Sequence, residues 1–241
     1  MSKRRLDEAI IRLGLSKDKQ EAFITVTEGR VLVDGQKAVS PAQLVSPQAK
    51  IEIREEPLYV GRGAYKLEAA LKKFGINVKD KICADIGAAT GGFTQVLLLY
   101  GAKRVYAIDT ARGKIALKIR REPHVVVMES VDARDIKKLP ESVDIVTMDV
   151  SLIPLRELLP HTRRFLKPKG EVIALFKPQY ETRDPKILRH GVVQDDVARG
   201  KLLQDFIDWT EKSGWRIMDQ MESPIKGDKG NIEYMLWLHL S

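Results

Sequence analysis

The residues Asp85-Ile86-Gly87-Ala88-Ala89-Thr90-Gly91-Gly92-Phe93 form the stretch best suited to hold a small molecule. They leave one apolar run and enter another, the strand-to-helix turn at which an α/β sheet takes its ligand. Glycines there let the backbone come close to a ligand and adopt conformations closed to other residues. The spacing is not that of a dinucleotide loop, and no phosphate-binding lysine follows. A loop of this kind suits a nucleoside without phosphates, such as S-adenosylmethionine. Gly87, Ala88, Gly91, Gly92 and Phe93 would then shape its seat. Asp109, about 20 residues beyond the loop, would accept from both ribose hydroxyls. Asp132 would accept from an adenine amine, and Asp85 would face the ligand's ammonium, directly or through water.

Acceptor chemistry narrows by elimination. Methylating C5 of a pyrimidine requires a cysteine nucleophile. The only thiol, Cys83, lies inside a predicted strand. Exocyclic-amine methyltransferases carry a Pro-Pro pair after the fourth strand, where this chain reads Asp149-Val150-Ser151-Leu152. With a single cysteine there is no internal disulfide and no zinc-ligand cluster, so no metal is expected.

These residues need a scaffold, and the hydrophobic pattern supplies one. Five apolar strands are predicted, at 82–86, 105–109, 125–128, 143–150 and 172–176. A long helix over 195–213 follows, then two strands at 215–221 and 232–240 that form a hairpin. This is the rhythm of a mostly parallel, doubly wound α/β sheet of seven strands with an antiparallel edge. Residues 1–56 read differently, as two short helices and a hairpin, the second helix capped by Ser16. They make a small α+β module, joined through a linker at 57–63 to the large domain at 64–241.

The chain carries 41 Lys and Arg against 33 Asp and Glu, a net charge of +8, so an acidic partner is expected. The first module is nearly neutral, and its candidates for contact with an acidic partner, nucleic acid or an anionic membrane surface, are Arg4, Arg5, Arg12, Lys17 and Lys19. Arg62 in the linker joins them. No apolar run is long enough to cross a bilayer and none follows the charged start, so a cytosolic place is expected.

The runs Gly61-Arg62-Gly63-Ala64-Tyr65-Lys66-Leu67, Met148-Asp149-Val150-Ser151, Phe176-Lys177-Pro178-Gln179-Tyr180-Glu181 and Lys229-Gly230-Asn231-Ile232-Glu233-Tyr234, with the glycine loop, resemble the TlyA family. Its members often carry hemolysin names and belong with the FtsJ-like ribose methyltransferases. The first module resembles the RNA-binding domain named after a ribosomal small-subunit protein. The resemblance implies S-adenosylmethionine as donor, a ribose 2′-hydroxyl of ribosomal RNA as acceptor (cytidine in the family), and a catalytic set of Lys66, Asp149, Lys177 and Glu233. Lys177 would take the hydroxyl proton or, kept charged, stabilise the oxygen. The chain departs from the family pattern at Gly61, Ala89 and Asp132. Two other readings are an inactive RNA-binding protein and a membrane-active cytolysin. A base methyltransferase on the same fold is a third.

Overall fold

Apolar residues recur at helical spacing along Gly63–Phe74, where Ala64, Leu67, Ala70, Leu71 and Phe74 are all buried, and Gly75 ends the helix in the left-handed conformation. That helix opens the larger of two compact units, Tyr59–Ser241; the smaller is Met1–Leu58. A computed structural model describes residues 3–55, 57–182 and 184–240. The expected segment ends at 1, 56 and 241 lie outside these described residues.

In the smaller unit, α1 (Leu6–Arg12) and α2 (Lys19–Thr27) pack beside a three-stranded antiparallel sheet, β1 (Val31–Val33), β2 (Gln36–Lys37) and β3 (Ile51–Ile53). Their core is Leu6, Ile10, Ala22, Val26, Val31 and Val45. The cap of α2 is not Ser16 but Asp18, whose carboxylate accepts from the Glu21 N–H at 2.8 Å. Ser16 lies too early for that N–H, and its hydroxyl instead donates to Glu21 Oε2. A further pair, Arg4–Arg5 with Leu44–Val45, had no sequence signal.

The larger unit follows α3 (Gly63–Phe74) with β4 (Ile82–Ile86), α4 (Gly92–Leu99), β5 (Arg104–Asp109), α5 (Leu117–Arg120), β6 (Val125–Glu129), β7 (Val143–Met148), α6 (Leu155–Thr162), β8 (Leu166–Phe176), α7 (Pro178–Glu181), α8 (Asp196–Lys212), β9 (Trp215–Glu222) and β10 (Tyr234–Leu240). The seven strands lie in the order β9-β10-β8-β7-β4-β5-β6. Neighbours from β8 to β6 run parallel, and β10 is antiparallel to both β8 and β9. The strand order reverses between β4 and β7, the switch point at which such sheets bind ligands. Between β5 and β6, α5 is a single turn, and Lys114 lies ahead of it. A two-residue hairpin, Leu188–Arg189 with Val192–Val193, is an addition.

Apolar layers on both faces of the sheet hold these strands in place. Phe206 of α8 is wholly buried, with its ring 5.1 Å from Phe176 and 5.6 Å from Trp209. Phe206→Ala is expected to lower unfolding free energy by about 3–5 kcal/mol in urea titration.

Candidate active site

At the carboxyl edge of the sheet two cavities meet. The first, about 310 Å³, is lined by the ends of β4, β5 and β7 and by the turn after β6, including Gly87, Ile108, Asp109, Val131, Asp132, Asp149 and Leu158. The second, about 240 Å³, is lined by Arg62, Lys66, Asp149, Lys177, Gln179, Tyr180, Lys226 and Glu233 among others. Gly87, Ala89, Asp149 and Ser151 line both. A group passing from one cavity to the other crosses at these residues.

All four expected catalytic residues line the second cavity. Lys66 Nζ lies 2.5 Å from Glu233 Oε2, and both side chains are buried. Lys177 Nζ lies 2.6 Å from Asp149 Oδ1 and 3.2 Å from the Ser151 hydroxyl. Each acid thus holds one lysine, which limits the cost of carrying charge out of water. Four different segments converge here: α3, the ends of β7 and β8, and the residue preceding β10. Because β10 runs against the others, its beginning reaches the same edge as their ends. The side-chain amide of Gln179 donates to Glu233 Oε1 at 3.3 Å. Glu181 is buried and accepts from the Leu155 N–H and from Arg156, fixing the start of α6 after the Asp149–Ser151 turn. Burial pushes the Glu181 carboxyl up from its ordinary value.

The glycine loop folds where expected. Gly87 has φ 81°, and a Cβ there would stand 2.4 Å from the Asp149 carbonyl oxygen, so only glycine lets the two turns touch. Ala88, Gly92 and Phe93 line a smaller pocket of about 80 Å³ against residues 61–63. Gly91 is the N-cap of α4 and lines none of these spaces. The departure at Gly61 has a local cause: a Cβ there would sit 2.4 Å from the Thr90 hydroxyl.

The acids sort into two kinds. Asp109 lies on the first cavity, its oxygens accepting from the Ala89 and Ala111 N–H groups, each at 2.7 Å. Asp132 lies there too, but its carboxylate is shared with Arg134, which holds it below the usual carboxylate range. Asp85, expected to face a ligand ammonium directly or through water, has no direct access to these cavities. It is fully buried, lines none of the three spaces, and accepts from the Thr94 hydroxyl at 2.6 Å and the Thr147 hydroxyl at 2.9 Å. It therefore ties β4, β7 and α4 together beneath the loop.

Burial pushes the Asp85 carboxyl from 3.8 up to about 6, against the two hydroxyls that favour its charge. A pKa raised on folding means the native state holds this proton more tightly than the unfolded chain. The stabilisation is therefore complete below about 3.8 and is lost as pH rises through about 6. Asp85→Asn abolishes this dependence. The stability of the parent relative to Asp85→Asn should fall by about 2 kcal/mol between pH 4 and 7, measured by urea unfolding across that range.

The donor set decides what the first cavity suits. Asp109, Asp132 and Asp149 line it against one lysine, Lys114. Three carboxylates repel phosphates and favour a ligand with hydroxyls, amines and positive charge. Ile108, Val131, Ile153 and Leu158 offer apolar wall for a flat ring. The residues fit S-adenosylmethionine.

Residues 59–240 match the FtsJ-like methyltransferase family. The chain belongs to that family. This FtsJ-like methyltransferase is 37% identical over 240 residues to the 16S/23S rRNA (cytidine-2′-O)-methyltransferase TlyA of Mycobacterium tuberculosis, covering 97% of this chain and 89% of that one. It is 37% identical over 234 residues to Hemolysin A of Brachyspira hyodysenteriae, covering 96% and 98%. A solved Streptococcus thermophilus structure that bears a hemolysin name superposes with a TM-score of 0.75 at 32% identity, covering all of this chain and 90% of that one. The methyltransferase uses S-adenosylmethionine, as the fitted cavity and the family together require. No described helix is long and apolar enough to cross a membrane, and no described cluster could hold a metal ion.

The RNA-facing candidates are less uniform than the catalytic ones. Arg62 is exposed at the mouth of the second cavity and donates to the Lys226 carbonyl at 3.0 Å. In the smaller unit Arg4 and Arg12 line one cleft, and Lys17 borders another. Lys19 is exposed on α2. Arg5 is bound to Asp7 at 2.7 Å, which leaves it less free than the others.

Proposed function

We propose that the protein transfers a methyl group from S-adenosylmethionine to a ribose 2′-hydroxyl of ribosomal RNA, a cytidine as in the relative named TlyA. One observation carries this reading: two lysines, each paired with an acid, line a cavity that opens onto the ligand seat at Asp149. A sugar hydroxyl is a poor nucleophile that needs no covalent intermediate here, only orientation and an exit for its proton.

When bound, S-adenosylmethionine supplies a methyl already activated by positive sulfur. Asp109 would hold the donor's ribose, Asp132 its purine amine, and the Gly87–Ala89 turn its flank. The acceptor hydroxyl would lie among Lys66, Asp149, Lys177 and Glu233. Its proton leaves toward the Lys177–Asp149 pair, while Lys66, kept in place by Glu233, steadies the negative charge that grows on oxygen. Holding the hydroxyl in line accounts for the largest share, roughly 7–11 kcal/mol in well-aligned systems. Lys177→Arg separates the two roles open to Lys177, because a guanidinium keeps the charge but cannot serve as base.

The smaller unit would carry RNA through Arg4, Arg12, Lys17 and Lys19, with Arg62 at the cavity mouth. Such contacts make binding fall steeply with salt. Ribosomal RNA as substrate also keeps the expected cytosolic place as part of this reading. The test is transfer of labelled methyl to 16S and 23S ribosomal RNA, naked and in subunits, followed by alkaline digestion. A 2′-O-methyl blocks cleavage of the adjacent linkage, so label should appear in uncleaved dinucleotides. Label recovered on a base instead would overturn the assignment.

A further inference from the structure

Lys177 handles the acceptor's proton or its growing charge, and a lysine is by nature a poorly aimed group. Its nitrogen ends a flexible four-carbon stem, so one ion pair sets its distance from Asp149 but leaves its direction loose. A second polar contact removes that freedom. Lys177 Nζ donates to the Ser151 hydroxyl at 3.2 Å while standing 2.6 Å from Asp149 Oδ1. The centre of the Tyr180 ring is 5.9 Å from the same nitrogen, beyond hydrogen-bond reach. Ser151 lies two residues after Asp149 and lines both the ligand seat and the acceptor cavity. The turn that carries both residues is itself held. The Asp149 N–H donates to the Ile86 carbonyl at 3.0 Å, and Leu152 takes a left-handed backbone at φ 69°. A left-handed leucine is costly, and such strain collects where a site must be shaped. Here it falls immediately after Ser151.

We propose that Ser151 is a positioning residue: its hydroxyl sets the direction in which Lys177 Nζ meets the 2′-hydroxyl of the acceptor. This rests on the ribose methyltransferase reading above and adds a residue that acts through Lys177. A charged lysine offers three N–H groups at tetrahedral angles. With Asp149 and Ser151 beside two of them, one remains for the acceptor oxygen in the cavity that Lys177 lines. A neutral lysine has two N–H groups and a lone pair. The same two partners then leave the lone pair as the remaining position, where it takes the hydroxyl proton. Ser151 therefore aims the nitrogen in either charge state. Both roles need contact at about 2.6–3.2 Å, so a nitrogen free to swing would spend much of its time out of place. The other pair is built alike: Gln179 braces Glu233 as Ser151 braces Lys177.

The experiment measures single-turnover transfer to ribosomal RNA at saturating S-adenosylmethionine, with donor binding followed by calorimetry. The full-length protein is compared with Ser151→Ala, Ser151→Thr, Lys177→Ala and the double variant that combines Ser151→Ala with Lys177→Ala. Ser151 is exposed, so the loss of its hydroxyl leaves the core packing untouched. Ser151→Ala should slow transfer by about 10–100-fold, the scale of a catalytic group displaced by about an ångström, with donor binding near that of the parent. Ser151→Thr keeps the hydroxyl and should recover most of the rate. In the Lys177→Ala background, Ser151→Ala should cost almost nothing more, because residues that act as one unit do not add. Losses that multiply in the double variant, or a Ser151→Thr variant as slow as Ser151→Ala, overturn this assignment. So does a Ser151→Ala variant that keeps the parent rate; if its donor binding is weakened, Ser151 belongs to the ligand seat instead. These outcomes leave ribose methylation intact. A parent that puts its methyl on a base overturns both readings.

Discussion

Lys177→Ala is expected to slow single-turnover methyl transfer by about 10²–10⁴-fold, the range spanned by loss of a proton-transfer or oxyanion-stabilising group. Lys177 lies 2.6 Å from Asp149, so its removal takes away one half of the pair that receives the hydroxyl proton. It lines the acceptor cavity and not the ligand seat. Binding of S-adenosylmethionine, followed by calorimetry, should therefore stay near that of the parent. Asp149→Ala should show the same loss of transfer. Near-normal rates in either variant would falsify the role given to this pair. Partial activity in Lys177→Arg would assign Lys177 the charged role; complete loss would assign it the base.

Gly87→Ala is expected to damage both ligand binding and catalysis, although the substitution adds a single methyl group. The backbone at Gly87 is left-handed, at φ 81°, which costs a non-glycine residue about 1–2 kcal/mol. The new Cβ would also stand 2.4 Å from the Asp149 carbonyl oxygen and 3.0 Å from its carbon. Backbone, not a flexible side-chain tip, would have to move, and the residue displaced carries the catalytic carboxylate. Gly113→Ala provides the control, since Gly113 has φ 73° but nothing within 4 Å of its Cβ position. Both variants should lose the conformational increment in thermal unfolding. Gly87→Ala alone should weaken S-adenosylmethionine binding more than tenfold, as close contact and strain add. Equal behaviour of the two would show that the contact with Asp149 is unimportant.

Most strands were legible because buried parallel strands read as continuous apolar runs, as in 82–86 and 143–148. The ligand loop was legible because glycines crowd a strand end followed by a helix. The identity of the catalytic residues came from short motifs spread over the chain, with Lys66 and Glu233 separated by 167 positions. What the motifs did not contain was the pairing, Lys66 to Glu233 and Lys177 to Asp149, because a one-dimensional pattern carries no distances. The enclosure of Asp85 was not legible for a related reason. A carboxylate at a strand end beside a glycine loop invites a ligand contact, yet Thr94 and Thr147 enclose it. Neither threonine stands out in sequence. Gln179 sat inside a quoted motif without drawing notice, since its bond to Glu233 joins positions 54 residues apart. The Ser16 expectation failed on a two-residue offset, both Ser and Asp being able to cap.

One consequence follows from the reversed direction of the last strand. Glu233 stands just ahead of Tyr234–Leu240, so the counter-charge for Lys66 is translated after nearly everything it serves. Until that strand slots between its neighbours, a lysine 167 residues earlier in the chain lacks its anion, a situation that costs a folded protein about 3–5 kcal/mol when the lysine is buried. Closing the sheet and arming the enzyme are therefore a single event. Loss of that strand would take from the large unit both its pairing with β8 and β9 and the anion held against Lys66.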